Sequence, residues 1–232
     1  MTSGKTLGNI LITGGASGLG AATVKTVTRH GGTPLVIDRQ NVGGDVAFES
    51  ADLADTAAVD AAVRALAERV DGRIDGVFTA AGIDSCGTLD DVPAKEWERV
   101  IHVNLLGTVA VIRSALPYLK ATNGRIVTVA STLGIKAVSD ATAYCASKFG
   151  VVGFSRALAA ELAGEVGVTT LIPGGMYTPF FDGRTEQYKP PPDAKLNKPE
   201  DVAETVVFAL SQPAGCEVRE MVVCASTESS WP

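Results

Sequence analysis

The chain has 232 residues, 46% hydrophobic and 20% charged, with a formal net charge of −6. That length suits one α/β domain, residues 1–232, with a large core. The acidic balance excludes a broad nucleic-acid surface, which would need clustered lysine and arginine. No apolar run reads as a membrane span. The first five residues lack a signal-peptide core, so the expected location is cytoplasmic. The four cysteines, Cys86, Cys145, Cys216 and Cys224, form no close pair and no cluster with His30 or His102. They read as free thiols and not as metal ligands.

Residues 9–13 form a short apolar run that enters Gly14-Gly15-Ala16-Ser17-Gly18-Leu19-Gly20, and a helical pattern follows from residue 21. Strand, glycine turn and helix in that order let the backbone approach a ligand closely, with free N–H groups at the helix start that favour a pyrophosphate. No Gly-Lys-Ser/Thr closes the turn, so it is not a P-loop. The alternative is a helix start that packs closely on a sheet and binds nothing.

Residues 34–38 read as a second strand ending in Asp38, eighteen residues past Gly20. An acid near that spacing bonds the adenosine ribose in dinucleotide sites; a solvated strand-end aspartate is the alternative. A third strand over 46–50 precedes Asp52-Leu53. Val59, Val63, Leu66 and Val70 then mark one helical stripe. A fourth strand over 74–79 leads into Ala80-Ala81-Gly82. This alternation predicts a doubly wound, Rossmann-like parallel sheet with helices on both faces.

A helix is predicted over 96–119, containing Asn104. Residues 125–130 are a β-branched run that reads as a buried strand, and Ser131 stands at its end. The next helix, over 144–162, carries Tyr144 and Lys148 four apart, on one face. A nearby ammonium would lower the phenol pKa from its ordinary value of about 10 and allow proton exchange with a substrate oxygen. The serine hydroxyl could bond that same oxygen. Val151, Val152, Phe154 and Leu158 exceed what one stripe needs, which suggests a subunit contact. A sixth strand covers 168–172. The stretch 182–199 is polar, with Pro190-Pro191-Pro192, and reads as an excursion from the domain. Val202, Val206 and Leu210 mark the last helix, and 218–224 the last strand.

Together, Thr13-Gly14-x-x-x-Gly18-x-Gly20, Asp52-Leu53, Ala81-Gly82, Asn104, Ser131, Tyr144-x-x-x-Lys148 and Pro173-Gly174 resemble the short-chain dehydrogenase/reductase family, over nearly the whole chain. The resemblance implies seven parallel strands in the order 3-2-1-4-5-6-7. It implies that Gly14, Ser17, Gly18, Leu19 and Gly20 meet the pyrophosphate and that Asp52 and Leu53 lie beside the adenine. Ala81 and Gly82 match a further cofactor-side motif. Pro173, Gly174, Met176 and Thr178 would cradle the nicotinamide, which Tyr144 and Lys148 also border. Asn104, Ser131, Tyr144 and Lys148 would be the catalytic residues, Asn104 holding a water that links Lys148 to solvent. A lid over about 176–198 would set the substrate, with Phe180, Phe181 and Tyr188 either lining its pocket or packing the core.

The expected activity is hydride transfer between NAD, preferred over NADP, and a small alcohol or carbonyl compound, by a homodimer or homotetramer. Alternatives are a catalytically silent NAD(P)-binding sensor or scaffold, an NADP-dependent ketoreductase, and a plain structural domain. Three departures stand out, one of them the short, proline-rich lid. Thr79-Ala80 replace the two asparagines usual before Ala-Gly, and threonine is expected to rebuild the strand-end hydrogen bonding. The glycine-rich ending usual after the last strand is missing, which bears on the subunit contact along that strand.

Overall fold

A computed structural model describes residues 7–228. Seven parallel strands form one sheet: β1 (Asn9–Thr13), β2 (Thr33–Asp38), β3 (Ala47–Ser50), β4 (Gly76–Thr79), β5 (Arg125–Val129), β6 (Gly167–Pro173) and β7 (Glu220–Val223). Their order is β3-β2-β1-β4-β5-β6-β7. The central strands carry buried β-branched residues on both faces, as a sheet covered on both sides requires. In β1, Ile10 and Ile12 point to one face and Leu11 to the other. The first face packs against α1 (Gly18–Arg29) and α6 (Pro199–Leu210) through Val24, Val27, Val206 and Leu210. The opposite face packs against α2 (Thr56–Glu68), α4 (Thr108–Thr122) and α5 (Thr142–Glu161) through Val63, Leu66, Ile112 and Leu158.

The expected helix over 96–119 is interrupted. Helix α3 (Ala94–Ile101) passes into a π-helical segment, His102–Gly107, before α4 resumes the regular turn. The wider turn sits where two close contacts meet. A Cβ on Gly107 would lie 2.7 Å from Leu53 Cβ, and the Asn104 side chain reaches the Ile83 backbone. Such segments recur at functional sites. By length and apolar composition Ala94–Thr122 also reaches what a membrane crossing needs, contrary to the sequence reading. Its apolar residues Val111, Ile112, Ala115 and Leu119 are buried within the fold.

The surplus apolar residues of α5 have a different explanation from the one expected. Val151, Val152 and Leu158 are buried inside the chain, so they do not mark a subunit surface. The large apolar side chains left exposed nearby are Leu106 and Phe149. Strands β4 and β7 also start two residues later than expected. Before β4, the Asp75 carboxylate is engaged by the Asn9 N–H at 3.0 Å and by Arg73.

Candidate active site

The sheet reverses its direction of growth between β1 and β4, and a cleft of about 700 Å³ opens there at the carboxyl ends of the strands. One wall is the glycine turn after β1. Gly14 has φ +72°, and a Cβ there would lie 2.8 Å from Ala81 Cα. A Cβ on Gly20 would lie 2.0 Å from the Gly14 carbonyl oxygen. Glycine is thus required at both positions by space, and at Gly14 also by backbone conformation. Ser17 precedes α1 without capping it by its side chain, and among the described residues no other side chain caps the first amides of the helix. Uncapped amides at a helix start suit an anionic group.

Asp38 faces the cleft from the end of β2. Its Oδ2 accepts the Ala16 N–H at 3.0 Å and its Oδ1 the Gln40 N–H at 2.9 Å. Two backbone donors therefore hold the carboxylate still. Arg39 lines the same wall with its side chain exposed. Asp52 and Leu53 lie nearby, where Arg99 of α3 donates to Asp52 Oδ2 at 2.7 Å. Ala81 and Gly82 form the floor, the Ala81 N–H donating to Thr13 Oγ1 at 3.2 Å. Thr79 does not rebuild the strand-end bonding that the sequence reading assigned to it. Its Oγ1 is buried without a partner among the described residues, and Thr13 takes that part.

The titratable centre stands between β5 and α5. The Tyr144 hydroxyl hydrogen-bonds Ser131, whose Oγ also accepts the Leu133 N–H at 3.1 Å. Lys148 Nζ lies 5.5 Å from the Tyr144 ring centroid and donates to the Val129 carbonyl at 2.9 Å. Burial pushes the Lys148 ammonium down to about 8. Burial also pushes the Tyr144 phenol above its usual range, outweighing the Ser131 hydrogen bond. This differs from the expected lowering by Lys148. In the protein alone, desolvation dominates at Tyr144, and the lysine directs its donor to the backbone. Asn104 lies behind the cleft wall. Its Oδ1 accepts the Ile83 N–H at 2.8 Å, and its Nδ2 donates to the Ile83 carbonyl and to Ser147 Oγ. It thereby fixes the strand-end loop against α5.

At the end of β6 and just past it, Pro173, Gly174, Met176 and Thr178 line the cleft. The segment that follows is tied together at its base: Met176 bridges Asn197, and the Tyr177 N–H donates to the Asn197 carbonyl at 3.0 Å. Within it Phe180 packs on Tyr144, with centroids 5.5 Å apart, and on Phe181 at 5.6 Å. Both phenylalanines line the cleft. Tyr188 is not among its lining residues, and its hydroxyl donates to Asp140 Oδ2 at 3.3 Å.

Among the cleft side chains that sequence reasoning missed are Arg99, Asp84, Arg184 and Glu228. Glu228 Oε2 accepts the Gly175 N–H at 3.0 Å, so the atypical ending returns to the Pro173–Gly174 segment. Residues 229–232 lie outside the described residues. Asp84 and Arg184 pair across 100 positions, a distance no local pattern spans.

A family model described as short chain dehydrogenase matches residues 8–189. The chain belongs to that family. Among its relatives, this short-chain dehydrogenase is 33% identical over 231 residues to a 3-oxoacyl-[acyl-carrier-protein] reductase of Thermotoga maritima, covering 91% of this chain and 94% of the relative. It is 32% identical to a 2,5-dichloro-2,5-cyclohexadiene-1,4-diol dehydrogenase of Sphingobium indicum, covering 88% and 89%. A solved 3-ketoacyl-(acyl-carrier-protein) reductase of Brucella melitensis, complexed with NADH, superposes with a TM-score of 0.82 at 30% identity, covering 93% and 96%. As a member of the short-chain dehydrogenases, the protein is an oxidoreductase that transfers hydride between a nicotinamide dinucleotide and an alcohol or carbonyl compound.

Proposed function

We propose that Tyr144 is the general acid/base of an NAD-preferring alcohol/carbonyl oxidoreductase. The observation that carries the assignment is the Tyr144 hydroxyl, bonded to Ser131 and flanked by Lys148 inside the cleft. When bound, the nicotinamide supplies the hydride chemistry. This chain's residues supply position and protons. Ser131 Oγ orients the substrate oxygen. Tyr144 Oη gives that oxygen a proton in reduction and takes one in oxidation. Lys148 supplies positive charge beside the phenol, and Asn104 holds the Ile83 loop and α5 in register. The first amides of α1 suit the pyrophosphate, and the fit of Gly14 and Gly20 against neighbouring backbone keeps that turn tight.

The preference for NAD rests on Asp38. A carboxylate fixed by the Ala16 and Gln40 amides suits ribose hydroxyls and opposes a phosphate at the same place. The NADH complex of the Brucella melitensis relative is in line with this. Arg39 favours a second reading, an NADP-dependent ketoreductase, because its cation lines the same wall. Paired kinetics decide between them. Native protein is expected to prefer NAD, and Asp38→Ala to lose much of that preference; a native preference for NADP would overturn the assignment.

We further propose a homodimer or homotetramer. The exposed Leu106 and Phe149 support it, and a monomer by light scattering at micromolar concentration would exclude it. The four cysteines are unpaired, which suits the reducing cytoplasm that we assign to the protein.

A further inference from the structure

We infer that Arg184, anchored by Asp84, selects a neutral substrate that carries a second oxygen beside the reacting one: a diol, a hydroxyketone or a diketone. The inference rests on the oxidoreductase reading above and adds the substrate class.

Arg184 lies on the lid, and its side chain is only 16% exposed; that of Asp84 is 6% exposed. Arg184 Nη2 donates to Asp84 Oδ2 at 2.8 Å, and Nη1 makes a long bond to the Tyr188 carbonyl at 3.4 Å. The remaining N–H donors of this guanidinium meet no partner among the described residues. The guanidinium carbon lies 4.7 Å from the Phe180 centroid and 4.8 Å from that of Phe181. The rings offer no oxygen or nitrogen acceptor, so hydrogen-bonding capacity remains on the guanidinium. Phe180 also packs on Tyr144, so the cation and the phenol are neighbours of one ring in one cleft.

Asp84 has little capacity to spare. Its Oδ1 accepts the Ser85 N–H at 2.7 Å, and its Oδ2 accepts from Arg184 and from the Cys86 thiol at 3.3 Å. A shielded ion pair of this kind is a weak source of stability, because desolvation opposes its attraction. Its consequence for a ligand is definite. The carboxylate cancels the positive charge but leaves N–H donors available. A substrate hydroxyl or carbonyl can accept from them. A plain alcohol leaves them unpaired, which costs binding. A substrate carboxylate would meet Asp84 as well as Arg184.

The test uses one ring with three substituents: trans-cyclohexane-1,2-diol, cyclohexanol and 2-hydroxycyclohexane-1-carboxylate, with NAD and native protein. The diol is expected to exceed both others in kcat/KM by about tenfold or more, the worth of a hydrogen bond to a charged donor. Arg184→Gln should lose that advantage through a raised KM for the diol, its kcat/KM falling toward that of cyclohexanol, with the KM for NAD unchanged. Asp84→Asn leaves the cation uncompensated and should move preference toward the carboxylate. Should Arg184→Gln fail to fold, the Asp84→Asn shift and Arg184→Lys, which keeps charge but loses the planar fork, decide the matter. Binding of the diol to the NAD complex of Tyr144→Phe, measured by calorimetry, gives a readout without turnover and should weaken when Arg184→Gln is added. Turnover without discrimination among the three, or a native preference for the carboxylate, overturns the inference alone. No turnover of any of the three or of their ketones overturns the inference, and a cofactor-induced rise in Tm in the same preparation tells that failure from a failure of the cofactor site.

Discussion

The two ends of the cleft are built from different materials. The end under α1 is made of backbone: glycines held against Ala81 and Gly14, uncapped amides, and a carboxylate fixed by two main-chain donors. The end under the lid is made of side chains from segments far apart in sequence: Tyr144, Phe180, Asp84 and Arg184. A backbone site tolerates no added atom but needs few particular side chains. A side-chain site tolerates changes of shape but depends on single functional groups. The first suits a ligand that never changes; the second suits one that differs from one relative to the next.

The largest expected effect comes from the side-chain end. Tyr144→Phe removes one oxygen and keeps the ring against Phe180, so turnover should fall by about 10²–10⁴-fold, the usual worth of general acid/base catalysis. The cofactor-induced rise in Tm should persist. Near-native turnover would refute the assignment of Tyr144.

At the backbone end, Gly20→Ala adds a single carbon 2.0 Å from the Gly14 carbonyl. Overpacking of this kind costs about 1–3 kcal/mol. The prediction is a lower midpoint in urea together with loss of the cofactor-induced Tm rise, the reverse of the Tyr144→Phe pattern. An unchanged cofactor response would break the contrast between the ends.

Lys148 sharpens the comparison, because it is a charge buried for chemistry at a cost in stability. Its folded pKa is lowered from 10.5 to about 8 by burial. Between those values the unfolded chain holds a proton that the folded one has released. Stability of the cofactor-free protein therefore rises as pH climbs from about 8 toward 10.5, and the burial cost is fully present below about pH 8. Denaturation at several pH values should show Lys148→Met more stable than native at neutral pH, inactive, and without that slope. A native advantage at pH 7 would contradict the cost assigned to the buried ammonium.

The smallest effect is expected from Thr79→Val. The Thr79 hydroxyl is buried and unpartnered, so an isosteric methyl should stabilise by about 1 kcal/mol with activity unchanged. Destabilisation, read as a lower Tm, would mean that the hydroxyl has a partner.

The same contrast explains what the sequence disclosed. The parallel sheet, the glycine turn, Asp38 and the Ser131–Tyr144–Lys148 group were legible, because each rests on alternation or on spacing within a short stretch, whereas the strand order came with the family resemblance. The direction of the Tyr144 shift was not, because burial depends on what the lid brings over the phenol. Val151 and Val152 were misread because α5 is covered on more than one side, and periodicity counts only one. Asp84 and Arg184 carry no local signal, since only the folded chain brings them together.

The π-helical segment His102–Gly107 has a consequence for how the chain tolerates changes of length. A regular α-helix advances about 100° per residue. Deleting one residue here would allow an unbroken helix from α3 to α4, a locally favourable result. It would also turn Arg99 and Trp97 by about 100° relative to Val111 and Ala115. Arg99 would then leave Asp52, and Trp97 would leave its 3.1 Å hydrogen bond to Thr142 at the start of α5. A one-residue deletion that repairs the helix would break one contact in the cleft wall and another at the start of α5, so the irregular turn works as the phase setting between them.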